Sequence, residues 1–239
     1  MAFDDTELVF KTRMDEVKQF YAYVKTVEID SLSKSDLSER LLVLKSSILL
    51  MLYNLIESVV TSCLHDLYVS IVESINSLRK KNRYVIMTKE IRRIWADNYF
   101  KNWTANIQNH KRDASIDALD DIFTIQLKES QFGNLRFITS DGELDAKRIR
   151  EIFSSYGIEL NIDSSCQQER LFFIKNKRNQ LAHGGESFHQ ASRDLSVDDI
   201  NNYCIATFSF IDCMILSVKQ YCLNEKFINA NNGNEYPFV

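Results

Sequence analysis

The sequence predicts an all-α protein, and three observations carry that expectation. Only six Gly and one Pro occur in 239 residues, and Pro237 lies beside the C-terminus, so long stretches contain nothing that breaks a helix. Apolar residues recur at steps of three and four over long spans, the period of an amphipathic or buried helix. Ser or Asp followed three positions later by Glu, Gln or Asp stands before several of those spans, the pattern of a helix N-terminus.

Each element follows from its own residues. Thr6 to about Glu28 forms a first helix, with Leu8, Phe10, Met14, Val17, Tyr21 and Val24 near helical spacing. Ser31 to Ser35 is a polar break, after which Asp36 and Glu39 resemble a capping box. A very long apolar helix follows to about Leu78, with Leu41, Leu44, Ile48, Met51, Leu55, Val59 and Cys63 on one stripe. Leu42, Leu49, Leu52 and Ile56 widen that stripe, so the helix is expected to be buried on most sides. Its core, ILLMLYNLIESVV (Ile48 to Val60), is interrupted by Asn54 and Glu57 and is too short for a membrane span, so no membrane is expected as a partner.

Residues 85–160 read as a mixed insert. Helical pieces are expected near Lys89 to Phe100 and Ser115 to Leu127, while Phe137 to Thr139 with the turn signal Asp141-Gly142 leaves room for a short β-hairpin. Asp145 caps a helix that runs through Tyr156 and closes at Gly157. Ser165 and Gln168 form a second capping box, opening a helix to His183 that stops at Gly184. Ser196 with Asp199 opens a last long helix, Val197 to about Leu223. The Asn-rich tail, residues 229–239, is expected to be loose. Hydrophobic residues make up 45% and charged residues 26%, enough for one full core, so residues 1–239 are read as a single domain. Its core helices are about 36–79, 165–183 and 197–223.

The net charge of −4 argues against a protein that coats nucleic acid through bulk positive charge, but not against a local basic site. Five Cys without a CxxC pair fit buried, reduced thiols. The acidic start MAFDDTELVF lacks a basic-then-apolar signal layout, so a cytoplasmic location is expected.

The segment Ile174 to Phe188, IKNKRNQLAHGGESF, carries the chemistry. On the helix from Ser165 the core stripe reads Leu171, Ile174, then position 178, then Leu181. Position 178 should be apolar and is Arg, which is costly on a buried seam unless an acid or an anion meets it. Glu57, which also interrupts an apolar run, is the candidate internal partner; a phosphate held in a cleft by the guanidinium fork is the other possibility. His183 lies five residues on, about 140° around the helix. A guanidinium that grips phosphate beside an imidazole that moves protons is a minimal kit for cutting RNA. A C-terminal capping His and a structural Arg are the plain alternative.

In its longer context KNKRNQLAHG resembles the R-x(4–6)-H signature of the HEPN superfamily, with Asn179 matching the polar residue usual after the Arg. LDAKRIREIFSSYGI, Leu144 to Ile158, is similar to a second block found upstream in one prokaryotic HEPN family, the MAE-like family associated with defence and toxin–antitoxin loci. The order of parts agrees from about residue 40 to 220. This resemblance implies an HEPN-type bundle of four to five long antiparallel helices that dimerises, bringing two Arg–His motifs into one cleft. It implies a metal-independent endoribonuclease without cofactor, acting as a toxin or anti-phage defence effector and controlled by an antitoxin or defence-system partner. His183 would help deprotonate the ribose 2′-hydroxyl or protonate the leaving 5′-oxygen, Arg178 would hold the scissile phosphate, and Asn179 would orient the phosphate or its neighbours. Lys175 and Lys177 would steer the RNA backbone. No metal cage is legible, since His183 and His189 are not joined by a Cys or acid at usable spacing. The sequence departs from some HEPN toxins at Gly185, where those carry a Tyr that a partner nucleotidyltransferase modifies. The alternative is a non-catalytic HEPN module that binds a nucleotide or a protein partner.

Overall fold

The computed structural model describes residues 3–31, 35–80, 87–94, 142–163 and 166–229. Among these residues six helices carry the fold: α1 (Asp4–Ser31), α2 (Ser35–Lys80), α3 (Ala146–Ser155), α4 (Glu169–Ala182), α5 (Phe188–Ala191) and α6 (Val197–Leu223). Residues 89–94 are also helical, and no strand occurs among the described residues beyond one isolated antiparallel bridge, Met87 to Ile228. The fold is thus all-α, as expected. The extended stretch Phe137 to Thr139, the helix expected at Ser115 to Leu127 and the tail lie outside the described residues, as does the end of the piece expected from Lys89 to Phe100.

α2 is the axis of the bundle. Its 46 residues run about 70 Å at 1.5 Å per residue, and α1, α4, α5 and α6 all pack on it. The widened apolar stripe explains this: Ile48, Leu49, Leu52, Tyr53, Leu55, Ile56, Val59, Val60, Cys63 and Leu64 are all buried, which leaves little of this stretch without a neighbour. Asn54, one of the two polar interruptions, is exposed, and Glu57 is half-buried. α2 and α6 are long and apolar enough to cross a membrane by length and composition, but half or more of each apolar window is buried within the chain. α1 lies along α2 through Phe3, Phe10, Val17 and Val24, spaced by seven, the repeat of helices packed nearly in parallel or antiparallel. Near its start the Thr6 hydroxyl donates to Asp66 Oδ2 at 2.6 Å, and Ser62 Oγ lies 2.8 Å away.

The helix ends test the capping assignments one by one. Asp145 caps α3 by accepting from the Arg148 N–H, and the chain leaves at Gly157 with φ +78, the left-handed residue of a Schellman-type stop. Ser196 and Asp199 form a reciprocal capping box on α6. The Ser196 hydrogen bonds hold the Asp199 carboxyl below the usual carboxylate range. α4 differs from expectation: it starts at Glu169, and Gln168 occupies the cap position without a side-chain cap. The Gln168 carboxamide accepts from Arg150 Nε on α3 at 3.1 Å; Ser165, the other half of the expected box, lies outside the described residues. α2 begins at Ser35, which places Asp36 inside the helix rather than before it.

α5 is docked on α2 by polar side chains. Ser46 Oγ donates to the Phe188 carbonyl, Ser192 Oγ to the Leu42 carbonyl, and Lys45 Nζ to the Leu195 carbonyl. Lys45, which the sequence places merely upstream of an apolar run, is 5% exposed, and burial lowers its pKa. All five Cys are free thiols, and all but Cys213 are buried. Burial pushes Cys204 and Cys222 up to about 12, which makes them inert as nucleophiles.

Candidate functional site

The site is built where three pieces of chain meet: the middle of α2, the residues leading into α3, and the last turns of α4. α4 ends in an orderly way. His183 is the C-cap, its N–H donating to the Asn179 carbonyl at 3.0 Å. Gly184 follows with φ +71 and Gly185 donates back to the Gln180 carbonyl at 2.8 Å. This is the six-to-one bond of a Schellman stop. It holds the His183 side chain at the exposed helix end, where it makes no hydrogen bond among the described residues.

Arg178 is half-buried and points the other way, onto α2. Its guanidinium lies over the ring of Tyr53, 4.9 Å from the centroid, and its Nη1 donates to Asn179 Oδ1 at 3.1 Å. Its contacts among the described residues do not include Glu57. The misfit that the sequence shows at position 178 is therefore met by an aromatic face, a weak and soft partner compared with a carboxylate. Among the described residues, most of the guanidinium fork is left uncommitted. Tyr53 is fully buried, and its hydroxyl lies 3.4 Å from the Leu144 N–H. The same ring thus supports Arg178 and the approach to α3.

The residues before α3 close over the end of α4. Gly142 has φ +75, and a Cβ there would lie 2.6 Å from Arg178 Nη1 and 3.1 Å from Asn179 Oδ1. Glycine suits the left-handed backbone at this position, and its lack of a side chain leaves the space that the tip of the guanidinium occupies. Glu143 Oε1 accepts from Asn179 Nδ2 at 3.4 Å, and Glu143 Oε2 pairs with Lys175 Nζ at 3.1 Å. Asp145 Oδ2 pairs with the same ammonium at 3.1 Å. One lysine thereby ties the N-cap of α3 to the face of α4. Burial of Lys175 opposes its charge, but the hydrogen bonds to Asp145 and Glu143 outweigh that penalty and raise its pKa above the ordinary lysine value.

Of the residues singled out in the sequence, the structure joins Arg178, Asn179 and Lys175 through Glu143 and Gly142. His183 stands outside this group, exposed at the C-cap of α4. Lys175 and Lys177 are both engaged internally: Lys175 is 8% exposed between two carboxylates, and Lys177 pairs with Glu186 at 2.7 Å. Contact with an RNA backbone would require those pairs to open. Tyr53, Gly142 and Glu143 are neighbours of Arg178 and Asn179 that the sequence does not single out for the site. The Asp-Gly turn was visible as a turn, and Glu143 and Asp145 flank it, but nothing local says which helix they will meet. Among the described residues no group of three or more His, Cys, Asp or Glu is placed to hold a metal ion.

Within one chain the arrangement offers a guanidinium that can grip an oxyanion and an imidazole that can exchange protons, facing different ways. A family model described as HEPN_MAE_28990-like HEPN matches residues 7–227. No curated protein and no solved structure matches the chain.

Proposed function

Since the chain belongs to the HEPN superfamily, in its MAE-like family, we propose that it is a metal-independent endoribonuclease that acts in the cytoplasm as a toxin or anti-phage defence effector. The ribose 2′-oxygen attacks the adjacent phosphorus as its proton passes to a base, and the P–O5′ bond breaks as the leaving oxygen receives a proton. His183 serves one or both transfers, Arg178 offsets charge on the phosphoryl oxygens, and Asn179 orients the guanidinium. The products carry a 2′,3′-cyclic phosphate and a 5′-hydroxyl. Because Arg178 and His183 face apart on one helix, a second copy of the chain completes the cleft, and a protein partner controls it. The observation that supports this most is the setting of Arg178: an arginine on a core seam, backed by Tyr53 and a glycine gap and, among the described residues, by no carboxylate.

The test is cleavage of single-stranded RNA in excess chelator by wild type, Arg178→Ala and His183→Ala. General acid–base catalysis contributes roughly 10²- to 10⁴-fold, so His183→Ala is expected to be at least about 100-fold slower, with cyclic-phosphate ends from the wild type. A wild type that cuts nothing in chelator, or a His183→Ala variant that cuts equally fast, sinks the proposal. A second reading is a non-catalytic HEPN module that binds a nucleotide or a protein partner. The internal pairing of Lys175 and Lys177 favours it, because it removes two cations from the surface that RNA would meet. Tight nucleotide or partner binding without cleavage is its expected signature.

A further inference from the structure

Phe172 is not explained by packing. It lies on α4 between buried Leu171 and Ile174, yet its side chain is 52% exposed. At 100° per residue, Phe172, Asn176, Asn179, Gln180 and His183 fall within about 100° of one another, and all of them are half or fully exposed. The outer face of α4 therefore runs from an aromatic ring through three amides to the imidazole, over about 16 Å. The ring is held in place. Lys175 Nζ sits over it at 4.9 Å from the centroid, and that ammonium is itself fixed by Glu143 and Asp145. A side chain held on one side by a clamped cation and open to solvent by half its area is a preformed flat surface.

We propose that Phe172 is a stacking platform for a base of single-stranded RNA, two helical turns from the Asn179–His183 end where the scissile phosphate is bound. This rests on the ribonuclease reading. The neighbours point to a nucleobase rather than to a second protein surface. Asn176, half-exposed one turn along from the ring, supplies a hydrogen-bond donor and acceptor suited to a base edge, while the Asn179 amide is held by Arg178 and Glu143 and that of Gln180 faces Glu186; the centre of a chain–chain contact would instead be a continuous apolar patch. Stacking on a phenyl ring accepts any base, so the platform adds grip and register without sequence preference. It also gives Lys175 a role that its carboxylate pairs do not remove: it positions the ring instead of contacting phosphate.

The test measures binding of a short single-stranded oligoribonucleotide of mixed sequence to the full chain, in a His183→Ala background that leaves the RNA intact, by fluorescence anisotropy. Phe172→Ala and Phe172→Leu are expected to weaken binding about 5- to 150-fold, with little change in melting temperature because the side chain is half exposed. Phe172→Trp is expected to restore it, and its indole emission to be quenched as RNA binds. The same variants with His183 intact are expected to raise KM more than they lower kcat. Leucine binding as tightly as phenylalanine overturns the proposal, since it keeps the apolar bulk and loses only the ring. So does a Phe172→Ala protein whose sedimentation shifts from that of the wild type, which assigns the ring to a contact between copies. A wild type that cleaves and binds RNA while the Phe172 variants match it overturns this inference alone; a wild type that neither binds nor cleaves RNA overturns the ribonuclease reading with it.

Discussion

Gly142 offers the smallest change that probes the site. Gly142→Ala adds one methyl group 2.6 Å from Arg178 Nη1 at a backbone φ of +75. The guanidinium is the far end of a flexible side chain and can move aside, so the stability cost should come chiefly from the backbone, about 1–2 kcal/mol. RNA cleavage should fall much further than that loss of folding accounts for, because Arg178 is displaced. Thermal melts set beside single-turnover cleavage check this; a variant that loses stability but keeps full cleavage removes Gly142 from the site. Arg178→Ala separates structure from chemistry in the same way. Its packing partner is a phenol ring, so a loss of about 0.5–2 kcal/mol is expected, against the 3–5 kcal/mol that follows when a buried ion pair is broken. Lys175 gives a pH signature. Its folded-state pKa is raised, so the stability it contributes is complete below the ordinary lysine value and is lost as pH rises through the folded value. The difference in melting temperature between wild type and Lys175→Met should therefore be largest at neutral pH and shrink in strong alkali. A difference that stays constant with pH would show that the ammonium is not the tie between α3 and α4.

At the scale of single elements, the caps were the most legible part of the chain. Asp145 and Gly157 around α3, Gly184 after α4, and the Ser196–Asp199 box on α6 are local events, each decided by a side chain three residues from the N–H it meets or by the left-handed tolerance of glycine. Ser196→Ala should cost about 1 kcal/mol in urea melts. Because the Ser196 hydrogen bonds depress the Asp199 pKa, the part of that contribution made with the carboxylate is present above the ordinary aspartate value and is lost as pH falls through the folded one, while the bond from the Asp199 N–H to Ser196 Oγ remains. A Ser196 effect that shrinks in acid is the expected outcome, and an effect independent of pH would contradict it. The start of α4 was not legible, for a reason that is not local. Gln168 stands at the cap of α4 itself, and Arg150 on another helix donates to its carboxamide. Spacing alone does not reveal a partner that arrives from 18 residues away.

For the whole molecule, the proposed division of Arg178 and His183 between two faces of one helix makes activity depend on association. Cleavage per chain is expected to fall as the protein is diluted, and mixing Arg178→Ala with His183→Ala chains is expected to recover part of the lost rate if the cleft takes one group from each. Sedimentation over the same concentrations checks that the loss follows dissociation; a monomer that keeps full activity would end the composite-site idea. What the sequence by itself determined was the all-α class, the central buried helix and the positions of most helix ends, because periodicity and capping act over one to two turns and are written in neighbouring residues. The family likeness was legible for the same reason, since both blocks that carry it are continuous. What only the tertiary structure decided was the company each of those residues keeps. Arg178 lies on Tyr53 rather than on Glu57, Lys175 is clamped by Glu143 and Asp145, and Gly142 makes room for a guanidinium. Each of these contacts joins separate parts of the chain. The packing of α2, α4 and the approach to α3 chose them, and no spacing within one segment encodes such a choice.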